Sequence, residues 1–221
     1  MLGVDVSIWL NKALFSSPEI YQFFHLDPKV TVGPVIESYL NSMHSLFIAN
    51  DIELLFVLDS ARNPLKAATN IARKKISDAA QIEMTNLINT HDSEHLRKIN
   101  FFKKKALYVR EDIVVGFVSW CDSKQLKYVC AFMEAEWELC RQEADGIIDG
   151  IVSDDSDCLV LGCKLAIQQL DKGSHPAGLN CSFVRRESWV NIVSDVMPDP
   201  TLSELSDFAV LMGVDYLDRA H

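Results

Sequence analysis

A short apolar run that ends in aspartate occurs three times in this chain, each time ahead of helix-like sequence. The runs are "LGVD" ending at Asp5, "ELLFVLD" ending at Asp59, and "GIIDGIVSDD" ending at Asp154 and Asp155. Between the first two, apolar residues repeat at helical spacing over "PVIESYLNSMHSLFIAN". Strands that alternate with helices require βαβ crossovers. The pattern therefore predicts an α/β fold with a doubly wound, mostly parallel central sheet flanked by helices.

The position of these aspartates predicts a shared site. In a doubly wound sheet, ligands bind beyond the carboxyl ends of the strands, so residues that end different parallel strands meet along one edge. A structural explanation is also open, because aspartate suits turns and helix N-caps. Three strand-ending positions, the last with two adjacent aspartates, favour a functional cluster over three separate turns.

Further carboxylates lie at predicted strand-to-helix junctions. "AFMEAEWELC" contributes Glu134 and Glu136, and "SDDSDCL" contributes Asp155 and Asp157. Carboxylates in the first turn of a helix also suit the helix dipole, which explains Glu134 and Glu136 without any chemistry. The helix that follows is expected to be amphipathic, with an apolar stripe through Trp137, Cys140 and Ala144.

A last carboxylate follows a predicted helix near the end of the sequence. Thr201 and Glu204 form a capping-box pattern ahead of an apolar stripe, and Gly213 suits the C-terminal cap. Asp215 stands just beyond that cap.

Together these segments supply seven candidate metal ligands: Asp5, Asp59, Glu134, Glu136, Asp155, Asp157 and Asp215. Like charges at close range oppose each other's ionisation, and hard divalent cations with oxygen ligands relieve that repulsion. The set predicts two Mg²⁺ ions, with Mn²⁺ as a substitute. Two such metals can activate a water and stabilise the leaving oxygen of a phosphodiester.

Composition limits the other function classes. The 221 residues have a formal charge of −10, which argues against a general basic surface, although seven of the excess charges belong to the candidate ligands. No apolar run is long enough for a membrane span, and the start lacks the features of a secretory signal. Six cysteines without a C-x-x-C pair indicate reduced thiols, no zinc and an intracellular protein. Dinucleotide and P-loop motifs are missing.

Two basic features are compatible with a polyanionic partner. Lys66 and Arg73 lie seven residues apart on one predicted helix and share a face to within roughly 20°, which suits a phosphate. A solvated helix face is the alternative. The stretch "HLRKINFFKKKALYVR" interleaves basic and aromatic residues, as nucleic-acid grooves do, and a basic amphipathic helix explains it equally well.

Five blocks of this sequence resemble those of the flap endonuclease and XPG-type structure-specific 5′ nucleases. They are "GVDVSIWLNKAL", "LLFVLDSARNPLKAATNIARKK", "MEAEWELC", "SDDSDCLVLG" and "LMGVDY", in the family's order, and the opening is most similar to the XPG branch. The sequence departs from the family at Asn11, where many flap endonucleases carry a stacking tyrosine, although Trp9 is nearby. Further departures are Ser60 in place of a glycine and Met133 in place of a small residue.

The resemblance implies a Mg²⁺-dependent nuclease for DNA with 5′ single-stranded arms, flaps or bubbles. It implies one catalytic domain over residues 1–221 with a PIN-like 5′-nuclease fold and a helical gateway and arch at about residues 66–125. The seven carboxylates would hold two metals: Asp155, Asp157 and Asp215 one, and the other four the second. Lys66 and Arg73 would steer the scissile phosphate. A monomer in the nucleus is expected, without the helix–two-turn–helix module that would begin after Tyr216.

Two other function classes are open to the sequence. One is a nuclease-like scaffold that binds DNA or protein without cutting, which the altered positions favour and the full carboxylate set opposes. The other is an aspartate-nucleophile phosphatase. That class needs a D-x-D motif after an early strand, whereas this chain has "DVS" there.

Overall fold

The chain forms two compact units. The computed structural model describes residues 1–16, 32–60, 67–88, 98, 101–102, 105, 109–173, 178–194, 200–201, 203–205 and 207. The first unit comprises Met1–Ile8, Ser42–Asn63 and Lys124–His221, and the second comprises Trp9–Asn41 and Pro64–Ser123. The predicted gateway and arch at about residues 66–125 falls largely in the second unit, and the single catalytic domain stays a prediction.

The first unit is built on a mixed sheet. Within the described residues its six strands are β1 (Leu2–Asp5), β2 (Leu54–Leu58), β3 (Lys127–Cys130), β4 (Ile151–Val152), β5 (Leu165–Lys172) and β6 (Leu179–Arg185). The spatial order is β3-β2-β1-β4-β5-β6. Neighbouring strands pair in parallel except β5 and β6, which are antiparallel. The predicted α/β fold with a mostly parallel sheet is confirmed.

Helices connect these strands. The described helices are α1 (Val6–Ser16), α2 (Val32–Ile48), α3 (Ala67–Ile88), α4 (Glu111–Lys124), α5 (Ala135–Ala144), α6 (Asp157–Val160) and α7 (Arg186–Ser194). The helical spacing between the first two strands gives α2. Of its predicted apolar positions Tyr39 is half-buried, and the others are buried: Ile36, Leu40, Met43, Leu46 and Phe47. The residues proposed to start the next helix, Asn63 and Pro64, lie outside the described residues.

The sheet core explains several sequence choices. All five residues of β2 are buried, as expected for a parallel strand covered on both faces. Gly3 in β1 permits close packing, because a Cβ there would lie 2.5 Å from Leu139 Cδ2 and 2.5 Å from Ile148 Cδ1. These side chains belong to a buried cluster drawn from β2, β4, β5, α5 and α6.

The strand order places a switch point beside β1. The chain moves from β1 to β2 and β3 on one side, and then returns to β4 on the other side of β1. Crevices at such switch points, outside the carboxyl ends of the strands, are where doubly wound sheets bind ligands. A ligand-binding site is therefore expected at the carboxyl ends of β1, β2, β3 and β4.

The second unit is helical in its described part. Phe117 and Trp120 of α4 pack with ring centroids 5.7 Å apart, and Trp120 Nε1 donates a hydrogen bond of 3.0 Å to Asn41 Oδ1. Three isoleucines of α3 face solvent: Ile71, Ile76 and Ile82.

All six cysteines are free, as predicted. Cys121, Cys158 and Cys163 are buried, Cys140 is half-buried, and Cys130 and Cys181 are exposed.

None of the described helices is both long enough and apolar enough to cross a membrane.

Candidate metal site at the carboxyl edge of the sheet

Asp5 closes β1 and is only 4% exposed. Its Oδ1 accepts a hydrogen bond of 2.9 Å from the backbone N–H of Ser7, and its Oδ2 accepts one of 3.3 Å from Ser153 Oγ. Burial, followed by the negative charges of Glu136 and Asp59, raises the pKa of Asp5 from 3.8 to about 8. Without a counter-charge, this carboxyl therefore tends to hold its proton near neutral pH.

Asp59 follows β2 and joins three segments of the first unit. Its Oδ2 accepts a hydrogen bond of 2.7 Å from Ser7 Oγ, so that Ser7 contacts both strand-ending aspartates. Its Oδ1 accepts one of 2.8 Å from the backbone N–H of Ala135, the first residue of α5. Asp59 thus satisfies a free N–H group at the start of a helix that is distant in sequence.

Glu134 and Glu136 bring two more carboxylates to the same place. Glu134 is the N-cap residue of α5, with extended backbone angles (φ −108°, ψ 145°), and it is 6% exposed. One carboxylate oxygen from each of Asp59, Glu134 and Glu136 lies within 4.8 Å of the other two. Three converging carboxylates suit a hard divalent cation, so the donor set fits Mg²⁺ or Mn²⁺. We call Asp5, Asp59, Glu134 and Glu136 the edge cluster.

The aspartates after β4 have different environments. Asp154 Oδ1 accepts a hydrogen bond of 2.7 Å from the backbone N–H of Gln169, which has φ 52° at the irregular part of the β5–β6 pairing. The backbone N–H of Asp155 donates to Ser153 Oγ at 3.2 Å, and the N–H of Asp157 donates to Asp155 Oδ1 at 3.0 Å. Asp154 therefore supports the adjoining strand.

Not every predicted ligand joins the convergent group. Within the described ranges, Asp59, Glu134 and Glu136 form the one group of three possible ligands at this spacing, and Asp155 and Asp157 are not members of it. The Ser153 hydroxyl links Asp155 to Asp5, because it accepts from the Asp155 N–H and donates to Asp5 Oδ2. Asp215 lies outside the described residues.

The predicted phosphate-binding cations are only partly described. Arg73 is exposed on α3 in the second unit, and Lys66 lies outside the described residues. In the described part of the basic and aromatic stretch, Lys105 Nζ lies 4.3 Å from the centre of the Phe101 ring, and the Phe101 and Phe102 ring centroids are 5.4 Å apart. Trp9 is 1% exposed and belongs to the core, whereas Asn11 is exposed.

Sequence reasoning missed the serines that hold the edge cluster and misplaced one aromatic. Ser7 follows Asp5 at a spacing of two and Ser153 directly follows β4, but neither position predicts a hydrogen bond to the aspartates from the sequence alone.

The expected apolar stripe of α5 is wrong. Trp137 is 60% exposed, and the buried face carries Ala135, Leu139, Gln142 and Glu143. Glu143 is buried where it accepts hydrogen bonds from the backbone N–H groups of Lys164 and Leu165, at the start of β5.

Comparison with known proteins agrees with this architecture. Residues 125–215 match the XPG I-region family. Exodeoxyribonuclease 1 of Schizosaccharomyces pombe is 24% identical over 217 residues, which are 98% of this chain and 35% of the relative. Flap endonuclease 1 of Methanocaldococcus jannaschii is 24% identical over 171 residues, which are 76% of this chain and 48% of the relative. The chain thus spans between a third and half of these proteins.

Solved structures share the fold. The catalytic core of Rad2 in complex with DNA substrate gives a TM-score of 0.61 at 20% identity, covering 97% of this chain and 55% of that one. Human GEN1 in complex with Holliday junction DNA gives 0.58 at 15% identity, covering 98% and 44%. Fold and site define a doubly wound α/β protein with an acidic cluster at its switch point. Residues 125–215 thus share the XPG I-region, and the chain is similar in sequence to a named exodeoxyribonuclease and a named flap endonuclease.

Proposed function

We propose that this chain carries the catalytic part of a Mg²⁺-dependent, structure-specific 5′ nuclease that hydrolyses phosphodiester bonds in branched or flapped DNA. The observation that carries the proposal is the convergence of Asp59, Glu134 and Glu136, with carboxylate oxygens within 4.8 Å, in a chain whose residues 125–215 match the XPG I-region. Relatives named as an exodeoxyribonuclease and a flap endonuclease support the reaction class.

The edge cluster would hold one metal, and Asp155, Asp157 and Asp215 would hold a second. A bound divalent cation would supply positive charge for the phosphate and acidify an attacking water. Mg²⁺ is the expected ion because it binds through few carboxylates and keeps room for phosphate oxygens, and Mn²⁺ would substitute.

Other residues of the chain would position the metal-binding carboxylates and the substrate phosphate. Ser7 fixes Asp5 through its N–H and Asp59 through its hydroxyl, which holds both carboxylates at the edge before any ligand arrives. The N-terminus of α5 starts at the cluster, and its dipole favours the Asp59 carboxylate that accepts from the Ala135 N–H. Lys66 and Arg73 would stabilise negative charge on the phosphate as it develops.

The proposed partner is DNA with 5′ single-stranded arms, flaps or bubbles, bound by a monomer in the nucleus. Rad2 and human GEN1 were solved with DNA substrate and with Holliday junction DNA respectively, which supports DNA as the ligand class. The eukaryotic exonucleases among the relatives support the nuclear location.

Cleavage of 5′-labelled single-stranded, flap and bubble DNA, with Mg²⁺ and with EDTA, tests the proposal. Glu136→Gln removes a charge from the edge cluster without touching the bond between Asp59 and α5. Glu53→Gln is the matched control, because Glu53 is exposed at the opposite end of β2. We expect Mg²⁺-dependent cutting by the wild type and by the control, and a loss of about 100-fold or more in Glu136→Gln.

Cutting that persists in EDTA, or that Glu136→Gln leaves intact, would contradict the metal mechanism. A wild type that binds Mg²⁺ and DNA but cuts none of the substrates would instead support the non-cutting scaffold.

A further inference from the structure

An exposed aromatic groove opens beside the edge cluster. It has a volume of about 450 Å³ and is lined by Phe132, Met133, Trp137 and Leu161, with Glu138 and Arg141 among its polar residues. Phe132 is 94% exposed and Trp137 is 60% exposed. We call it the α5 groove. Contiguous apolar surface of this kind marks a binding site more often than scattered single residues do.

Packing of the first unit does not account for these two aromatic side chains. Helix α5 buries its opposite face, with Ala135 and Leu139 in the sheet core. Phe132 lies in the segment between β3 and α5. The exposed rings of Phe132 and Trp137 are therefore accessible to a ligand.

The groove is continuous with the edge cluster. Glu134 lines the groove and is also one of the three converging carboxylates. Phe132 and Met133 directly precede it in the sequence, and Trp137 directly follows Glu136. A DNA strand with a phosphate at the edge cluster therefore brings the base of that nucleotide, or of its neighbour, to the groove.

The charges of the groove favour an uncharged ligand. Arg141 donates two hydrogen bonds to Glu138, at 2.6 and 3.0 Å, and a third of 2.8 Å to Asp145. The guanidinium is thereby engaged within α5, and it is not directed at a phosphate. A flat, mostly apolar group suits such a surface, and aromatic side chains stack on bases regardless of sequence.

We propose that the α5 groove binds a nucleobase of the substrate strand by stacking on Trp137 and Phe132, next to the phosphate held at the edge cluster. This inference rests on the proposed nuclease function and adds a substrate-positioning subsite to it. Trp137 and Phe132 hold the substrate and take no part in bond breaking.

Base stacking can be measured without cleavage. Single-stranded and flap DNA carrying 2-aminopurine near the 5′ end is titrated with protein in Ca²⁺, whose positive charge can hold a phosphate at the edge cluster. The fluorescence reports stacking of the modified base, and a gel of the same samples checks that the DNA is uncut. We expect quenching by the wild type and by Trp137→Phe. Trp137→Ala and Phe132→Ala should each weaken the quenching and raise Kd by about 5- to 100-fold, as expected for loss of one stacked base.

Phe183→Ala is the matched control. Phe183 is a 61% exposed aromatic on β6, outside the groove, and its removal should change neither signal. In Mg²⁺, Trp137→Ala should raise KM for DNA with a smaller change in kcat, because the reacting groups are intact. Restored KM in Trp137→Phe would separate stacking from a folding defect.

Failures of the two proposals are distinguishable. Wild type that cuts DNA while both alanine variants keep normal quenching and KM would overturn the stacking subsite and leave the nuclease function standing. Trp137-dependent quenching without any cutting would support the subsite and overturn the nuclease function. Normal DNA signals in the alanine variants, combined with loss of a dimer seen in sedimentation, would assign the groove to a second copy of the chain and overturn base binding.

Discussion

Asp5 combines deep burial with two neighbouring negative charges, and this gives it an unusual acid–base behaviour. Its folded pKa of about 8 is above the 3.8 of the ordinary carboxyl, so the folded state keeps a proton that the unfolded chain releases. The resulting stabilisation is fully present below about pH 4 and is lost as pH rises through about 8.

Asp5→Asn should therefore stabilise the metal-free protein at high pH. In EDTA, the free energy of unfolding of the wild type should fall between pH 5 and pH 8.5 by on the order of a few kcal/mol more than that of the variant. The asparagine can keep the bond from the Ser7 N–H. Urea unfolding at both pH values checks this, and parallel pH profiles of the two proteins would contradict it.

Other single residues show where sequence reasoning stops. A run such as "SDDSD" predicts carboxylates at a strand end, but it does not say which carboxylate faces the site. Asp154 turns to the backbone of Gln169, whereas Asp155 and Asp157 bond along the turn itself. Buried Glu143 accepts hydrogen bonds from the backbone N–H groups of Lys164 and Leu165 at 2.6 and 3.1 Å. Such long-range partners have no local sequence signal.

At the scale of elements, α5 begins with a cap supplied from another strand. Its own N-cap residue, Glu134, makes no side-chain capping bond, and Asp59 bonds the N–H of Ala135. The strand-ending aspartate therefore has the structural role that the sequence left open, and its carboxylate also lies in the edge cluster.

Asp59→Ala and Asp59→Asn should separate these two roles. Both remove the charge, but only asparagine keeps an oxygen that can accept the Ala135 N–H. In EDTA, we expect the alanine variant to be about 1–2 kcal/mol less stable than the asparagine variant, the usual cost of a lost N-cap. Both should bind Mg²⁺ weakly. Equal unfolding midpoints in urea for the two variants would show that the cap contributes nothing.

Helix periodicity was a good guide for α2 and a poor one for α5. In α2 the apolar spacing identifies the buried positions because no polar residue competes for the core. In α5 the buried Gln142 and Glu143 displace the expected stripe, and Trp137 is left on the surface. The near-terminal capping box is confirmed: Glu204 N–H donates to Thr201 Oγ1 at 3.2 Å, and Thr201 N–H donates to Glu204 Oε2 at 2.7 Å.

For the whole molecule, the sequence predicts the doubly wound, mostly parallel sheet because strand and helix signals alternate clearly. Apolar runs ending in aspartate predicted β1, β2 and β4 and the edge at which they meet. Pairing of β5 with β6 in the opposite direction was not predicted, since Gln168, Gln169 and Ser182 interrupt the apolar alternation that would have revealed a hairpin.

Mg²⁺ should stabilise the folded chain as a whole. A cation that binds only the folded state adds about 2.7 kcal/mol to the free energy of unfolding when its free concentration is 100 times its Kd. We expect a saturable rise in Tm for the wild type and for Glu53→Gln, and a much smaller rise for Glu134→Gln/Glu136→Gln. Thermal scans at constant ionic strength check this, because NaCl alone also screens a chain of net charge −10. An equal rise in the double variant would place the cation elsewhere.

The two exposed cysteines lie on opposite borders of the sheet, Cys130 on β3 and Cys181 on β6. Burial raises the pKa of Cys121 and Cys163 to about 12, which keeps those thiols poorly reactive. Five strand spacings of about 4.8 Å separate the outer strands, which gives about 24 Å across the sheet. The thiols of Cys130 and Cys181 can therefore each carry a spectroscopic probe, and the distance between the two probes reports the width of the sheet on either side of the edge cluster.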